Sequence, residues 1–563
     1  MIKELESILS KIFEELGYEL NPRVITSNRP DLCDYQCDNA FMLAKKYHKS
    51  PIEIGNTITE ALNKTDNFND YFEEVTFANP GFINMKVSNK FINKYIRILN
   101  EDIKALLPKV TPETFVLDFG GANVAKPLHV GHMRTIMVGE SVARIIRFLG
   151  HKTICDVHLG DFGLQIGQVI YGVLRDNKTV EDIDIKYLDK IYPEMSALCK
   201  ENDEIKENCA LITKELQDGN PEYRRLWKKI LEVSVKDIKK NYDYLGANFD
   251  LWLGESDSYN HLEELERLLE SKNLLMMSEG AKVIDVSKED DKKEMPPLLF
   301  QKSNGAYLYA STDLATILDR KNTYTPDHIL YVVDNRQSLH FEQVFRACDK
   351  AGIMPYESLE HLGYGTVNGT DGKPYKTRSG ETPKLENLFM SAKEIFISKK
   401  ESNKDMNDED VNKIVNAILK FADLQNSREK DYIFDLNKFS DVSGKTGPYI
   451  LYTYLRFNKI LKEQELKNNL TDNIYNKYDR DLRLKMVEYT NSIMQAFKER
   501  KPHYIAEYVY NLCVVCNIFY QNNYINSMED EINKNDWLYI LNLANKIIKE
   551  MLYLLVIDVP SVM

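Results

Sequence analysis

Residues 114–150 read TFVLDFGGANVAKPLHVGHMRTIMVGESVARIIRFLG, and their pattern decides the fold. TFVLDF is a short apolar run, as in a buried strand. GGANVAKP is a Gly-rich loop. TIMVGESVARIIRFLG has helical periodicity and stops on Gly150, a common helix terminator. The chain repeats strand, loop and helix twice more, with KTICDVHLGDFG before LQIGQVIYGVL and HILYVVD before HFEQVFRACDKAG. Such alternation predicts a parallel, doubly wound sheet.

Working outward, a polar helical stretch at about 177–240 interrupts the alternation and reads as an insertion on that sheet. Upstream, amphipathic helices alternate with strand-like EEVTFA and FINMKVS, which the turn NPG joins. After Lys384 the strand signals stop, and aromatic-rich segments such as GPYILYTYLRFNKIL and HYIAEYVYNLCVVCNIFY read as helices. The expectation is a multidomain α/β protein: an α+β domain at 1–110, a Rossmann-like parallel-sheet catalytic domain with helical insertion at 111–384, a helical junction at 385–446, and an all-α domain at 447–563.

Composition narrows the functional classes. A chain of 563 residues needs more than one core. The formal net charge of −13 argues against indiscriminate nucleic-acid binding. From Gly447 onward basic and acidic residues balance at fourteen each, so that part is the least repulsive to a polyanion. No run of about 18 uncharged apolar residues occurs, so no membrane span is expected. The charged, amphipathic start and eight scattered cysteines point to a cytoplasmic protein with reduced thiols. Cys513 and Cys516 form a CxxC inside an apolar helical pattern without further ligands nearby. They read as core thiols rather than a zinc or redox site, as do Cys33 and Cys37. No protein-held metal is expected.

The chemistry concentrates at HVGH. His129 and His132, three apart where the loop enters the helix, share one helical face. Gly131 between them would admit close approach of a phosphate to the backbone. A helix N-terminus favours anions, and two imidazole donors there suit the phosphates of ATP. Lys126, three residues before His129, has a stem long enough to bring an ammonium to the same phosphates; the alternative is a surface lysine. Downstream, GKPYKTRSGE (372–381) carries Lys373, Lys376 and Arg378 between glycines, either a lid over a triphosphate or a solvated basic turn. In LYASTDLA, Tyr309 and Asp313 share a face if helical. Asp313 is then either a bidentate partner for a guanidinium or an N-cap for LATILDR.

HVGH resembles the HIGH motif of class I aminoacyl-tRNA synthetases, and NVAKPLHVGHMRT is similar to its form in the arginyl-tRNA synthetase family. NPGFIN, HLGDFGLQIG, LYASTDLA, YVVDNRQSLHFEQ and TGPYILYTYLRF resemble further stretches of that family, in family order. GKPYKTRSGE departs from the usual KMSKS, with Arg378 in place of the second lysine, a departure many arginyl enzymes share. The resemblance implies an arginine–tRNA ligase that activates L-arginine with ATP, Mg²⁺ assisting, and transfers it to the 3′ end of tRNA(Arg), requiring the tRNA for activation. It implies arginine contacts from Asn123, His129, Tyr309, Asp313 and Gln337, and ATP contacts from Lys126, His129, Gly131, His132, Lys376 and Arg378. Of these, Lys126, His129, His132 and Arg378 are the catalytic candidates. It also implies an N-terminal domain contacting the tRNA elbow and an anticodon-binding C-terminal domain, with the expected state a monomer. Two rivals are a small-molecule HxGH nucleotidyltransferase and an RNA-binding paralogue without catalysis.

Overall fold

The computed structural model describes residues 1–375, 384–399 and 406–563. It divides into two compact units, each built from separated stretches of chain.

One unit comprises Met1–Pro108, Thr453–Ser492 and Tyr508–Glu550. Its N-terminal part holds a four-stranded antiparallel sheet, in the order Val24–Thr26, Tyr35–Cys37, Phe82–Val87, Phe72–Ala78. The last two strands form the hairpin that NPG predicts. Helix Asn89–Glu101 is capped by Ser88, whose hydroxyl accepts from Phe91 N. Phe91, Ile92, Tyr95, Ile96 and Leu99 on this helix are buried. Within the same unit, Asn93 accepts from Arg483 Nη1 at 2.6 Å and Asp34 accepts from Arg480 Nη2 at 2.6 Å. Arg483 is fully buried. Deleting residues 1–105 would therefore leave a buried guanidinium short of a partner, which confounds such a truncation as a test of RNA contacts. Cys513 and Cys516 are both fully buried in helix His503–Asn522, as core thiols should be.

The other unit comprises Lys109–Tyr452, Ile493–Glu507 and Met551–Met563. Its core sheet is wholly parallel, in the order Leu359–His361, His328–Tyr331, Thr114–Asp118, Lys152–Asp156. The chain starts in the middle at Thr114, winds to one side through Lys152, then to the other through His328 and Leu359. The winding reverses beside Thr114–Asp118, and such a switch point opens a crevice at the carboxyl ends of the strands. The HVGH loop leaves from that end.

Helix Val130–Phe148 follows, with sixteen of its nineteen residues buried. A helix covered all round must satisfy its polar side chains internally. Thr135 Oγ1 donates to Val332 O and accepts from Gly120 N. Ser141 Oγ donates to Leu554 O at 2.7 Å, and Arg144 Nη1 to Tyr553 O at 3.0 Å. Nearby, the fully buried ammonium of Lys420 donates to Val556 O at 2.6 Å, and burial pushes its pKa down to about 7. Residues 551–563 thus belong to the packing of this helix.

The insertion contains helices Ile185–Glu201, Asp203–Gln217 and Pro221–Tyr244, close to the expected span. Two findings depart from the sequence reading. Leu275–Ser278, Ala281–Ile284 and Leu298–Gln301 form an antiparallel sheet, whose first turn holds Glu279 and Gly280 both at positive φ. And strands do not stop at Lys384, since Tyr432–Ile433 pairs in parallel with Val367–Asn368. No helix among the described residues is long and apolar enough to cross a membrane.

Candidate active site

The HVGH turn is held by its own backbone. His129 is the N-cap of helix Val130–Phe148 and His132 its third residue. His129 Nδ1 accepts from Gly131 N at 3.1 Å, and His132 Nδ1 accepts from His129 N at 3.1 Å. This is a capping box in which imidazoles replace the usual hydroxyl and carboxylate. The ring centroids lie 4.0 Å apart.

That geometry fixes the tautomers. A ring nitrogen facing an N–H must carry its lone pair there, so each neutral imidazole bears its proton on Nε2. Neutrality follows from the surroundings. Burial, then the neighbouring His129 and Lys126 charges, push the His132 pKa down to about 3, and burial followed by Lys126 lowers that of His129. The pair therefore presents two Nε2–H donors at a helix N-terminus. Gly131 serves this arrangement, because a Cβ there would lie 2.9 Å from His129 Cε1. The space is taken by the protein's own ring rather than left open for a ligand.

Lys126 is half-buried just upstream, and its ammonium has no ion-pair partner among the described residues. It follows Ala125, which holds a left-handed φ of 66°, costly for a residue with a Cβ and tolerated where the surroundings fix it. Ala125 N donates to Ser234 Oγ at 3.0 Å. Asn123 forms a parallel bridge with Gly160, which tethers the loop to HLGDFG. Lys376 and Arg378 lie outside the described residues. Lys384 forms an antiparallel bridge with His129, and Leu385 N donates to Leu128 O at 3.0 Å.

Tyr309 and Asp313 lie one turn apart at the start of helix Tyr309–Tyr324, Tyr309 largely exposed. The N-cap is Leu308, so Asp313 is inside the helix and the capping alternative falls away. Asp313 Oδ2 instead meets His340 Nε2 at 2.5 Å, which orients the carboxylate and leaves Oδ1 for a ligand. A second carboxylate, unmarked by any motif, joins this region. Glu255 starts the short helix Glu255–Ser258. Burial raises its pKa to about 7, against His158, which favours ionisation, and with Asp161 and Asp313, which oppose it. Tyr309 feels the charges of both Glu255 and Asp313. Two acids close enough to act on one tyrosine suit a single extended cation. Gln337 ends the 3₁₀ turn Asn335–Gln337, exposed and three residues before His340.

Beneath the crevice, Arg320 is fully buried and donates to Asp118 Oδ2 at 2.7 Å and Asp156 Oδ2 at 2.6 Å. Burial raises the Asp118 pKa. At Asp156 burial is outweighed by His158 and Arg320, which hold the carboxyl below its usual range. Asp118, Asp156 and His158 bring ligand-type atoms within 4.8 Å of one another. Their charge is already met by the guanidinium, so the trio does not fit a metal ion.

Comparison with known proteins identifies the family. Residues 96–436 match the family described as tRNA synthetases class I (R), catalytic domain. Residues 1–87 match the arginyl tRNA synthetase N terminal domain, and 450–563 the DALR anticodon binding domain. An arginine–tRNA ligase of Alkaliphilus oremlandii is 40% identical, with all of both chains covered. One of Agathobacter rectalis is 39% identical over all of this chain and 99% of its own. Among solved structures, the Plasmodium falciparum arginyl-tRNA synthetase superposes with a TM-score of 0.83 at 26% identity, covering 100% of this chain and 99% of that one.

Proposed function

The chain belongs to the arginyl-tRNA synthetase family of class I ligases that serve translation, and from that premise we propose how its residues divide the work. ATP lies over the HVGH turn, its phosphates on the Nε2–H donors of His129 and His132 and on the ammonium of Lys126, with Lys376 and Arg378 as further cations for the triphosphate. L-arginine lies with its guanidinium toward Asp313, Glu255 and Tyr309, and its α-carboxylate toward the α-phosphate, near Asn123 and Gln337. Attack gives arginyl-adenylate and pyrophosphate, and a ribose hydroxyl at the 3′ end of tRNA(Arg) then accepts the arginyl group. Positioning and charge stabilisation carry the rate, since no covalent step falls to the protein. Mg²⁺ fits as a companion of the triphosphate rather than a protein-held ion, because among the described residues the one cluster of ligand-type side chains, Asp118, Asp156 and His158, is already neutralised by Arg320. Eight buried, unpaired thiols suit a reducing cytoplasm.

The observation that carries this reading is the pair of neutral imidazoles whose Nδ1 atoms are both occupied by backbone N–H groups. The test is ATP–pyrophosphate exchange: exchange is expected only when arginine and tRNA(Arg) are both present. Exchange with no need for arginine would favour a small-molecule nucleotidyltransferase, and none at all an RNA-binding paralogue.

Two expected results concern the amino-acid end. Asp313→Asn keeps the shape but removes charge, and arginine should bind weaker by about 1.5–3 kcal/mol, the range for a hydrogen bond to a charged group. Calorimetry with arginine decides it, and unchanged affinity would make Asp313 purely structural. Glu255 gives a pH dependence. Its carboxyl is protonated below about pH 7 in the free protein, and a guanidinium beside it favours the ionised form. Binding then releases a proton, so affinity rises with pH up to about 7 and levels off. Between pH 6 and pH 8 the gain should be about tenfold. His158, Asp161, Tyr309 and Asp313 surround Glu255, and His340 bears on Asp313, so the control is Glu255→Gln, which should flatten that part of the profile. A profile identical in both proteins would remove Glu255 from the pocket.

A further inference from the structure

Helix Pro221–Tyr244 belongs to the insertion, yet it reaches the loop that leads into HVGH. Its buried face includes Leu226, Ile230, Ser234, Ile238 and Tyr242, spaced one helical turn apart. That stripe is apolar except for the hydroxyl of Ser234 and the phenol oxygen of Tyr242. Serine is a mediocre helix former, because its hydroxyl competes for backbone groups, and it adds little to apolar packing. A serine 3% exposed in the middle of such a stripe is explained by what its hydroxyl meets. Ser234 Oγ accepts from Ala125 N at 3.0 Å. About two turns later, the fully buried Tyr242 donates its hydroxyl to Gly120 O.

The loop between these two contacts is held at both ends and in the middle. Gly120 has a φ of 79°, and its N donates to Thr135 Oγ1 at 3.0 Å. In the middle, Val124 N donates to Gly160 O at 2.9 Å, and Gly160 N to Ala122 O at 3.0 Å. At the far end Ala125 is 4% exposed and keeps its left-handed φ of 66°. A buried N–H needs an acceptor, and an alanine leaves the left-handed region unless it is held there. Ser234 Oγ meets both needs. Without it, the cheapest remedy is for Ala125 to return to a negative φ, which turns the next peptide and carries Lys126 with it. Asn123 is bridged separately to Gly160, so it keeps its place.

We propose, resting on the enzymatic reading above, that Ser234 is a positioning residue for adenylate formation. Through the backbone of Ala125 it fixes where the Lys126 ammonium stands against the phosphates of ATP. A residue of the insertion thereby enters the chemistry without touching a substrate.

The experiment uses the full chain and the variants Ser234→Ala, Ser234→Thr and Lys126→Ala, with Ser234→Ala/Lys126→Ala completing a double-mutant cycle. Single-turnover activation of arginine reads the rate, amide hydrogen exchange reads the loop, and thermal melting reads folding. Ser234→Ala is expected to slow adenylate formation by about tenfold, less than removal of Lys126 itself, at an unchanged KM for arginine. In the Lys126→Ala background the same substitution should cost nothing further, because the group it positions is gone. Ser234→Thr, which keeps the oxygen, should restore the rate. The peptide around Ala125 should exchange faster in Ser234→Ala while helix Pro221–Tyr244 stays protected. If Ser234→Ala melts below the assay temperature, Ser234→Cys fills the volume with a poor acceptor and carries the same cycle. An equal loss with and without Lys126 would reduce Ser234 to general packing and overturn the proposal. An unchanged rate or unchanged protection of the loop would overturn it too. Absence of arginine-dependent exchange in the unaltered protein would count against the enzymatic reading alone, since hydrogen exchange decides the hold of Ser234 on the loop without activity.

Discussion

Replacing His132 with alanine is expected to slow arginyl-adenylate formation by roughly 10²–10³, about 2.7–4 kcal/mol, the loss measured when one pre-organised transition-state donor is removed. The argument is the tautomer. With Nδ1 accepting from His129 N, the donor is Nε2–H, and a pKa near 3 keeps the ring neutral at any working pH. The donor thus needs no protonation step and no reorientation while negative charge builds on the phosphates. The KM for arginine should change little, since the contact matters mainly in the transition state. The same substitution breaks the capping box, so about 0.5–2 kcal/mol of stability should go with it. His132→Gln, which keeps an N–H, should recover part of the rate. Single-turnover activation on folded protein reads the effect, and a rate near that of the unaltered protein would remove His132 from the chemistry.

Lys126→Ala is expected to slow the same step by about 10² or more, and Arg378→Ala by less. A class I site needs a cation on the migrating phosphates, and the altered loop offers a guanidinium where an ammonium is usual. The planar, bulkier arginine does not replace a point charge. Lys126 lies near enough to lower both histidine pKa values and is not neutralised by a carboxylate among the described residues. Its backbone is set by the left-handed Ala125 preceding it. An unpaired cation beside two donors, on a loop held in a costly conformation, is the signature of a charge kept for a ligand. Pre-steady-state rates for both variants decide the assignment, and a larger loss at Arg378 would reverse it.

The catalytic unit was legible where local pattern and tertiary role coincide. Strand, Gly-rich loop and buried helix around HVGH follow from apolar periodicity alone, and the histidines share a face because their spacing requires it. Their capping role was not legible, since histidine is not a habitual cap and only the coordinates show which ring nitrogen meets which N–H. Asp313 could be read two ways from sequence, and the start of its helix at Tyr309 removes the capping alternative. Glu255 and His340 were missed for a different reason. They approach Asp313 from segments separate from Tyr309–Asp313, and an acid in LGESDSY looks like any solvated turn. The Tyr432–Ile433 strand is two residues long, too short to show a period. The Glu279–Gly280 hairpin does have a signal in the sequence, a two-residue turn ending in glycine.

The ties from helix Val130–Phe148 to the carbonyls of Tyr553 and Leu554, and from Lys420 to that of Val556, also bear on how the protein is born. Synthesis runs from the N-terminus at about 5–20 residues per second, so the helix leaves the ribosome roughly 20–80 s before residues 551–557 do. Throughout that interval Ser141 and Arg144 lack the carbonyls of Leu554 and Tyr553, and Lys420, made later, lacks that of Val556 for about 7–27 s. The nascent catalytic unit must wait, with its central helix unsealed, for a segment about four hundred residues downstream. A messenger cut short just before codon 551 would yield a chain with every motif of the adenylation site but without the carbonyls that seal its central helix, an early substrate for the cell's proteases.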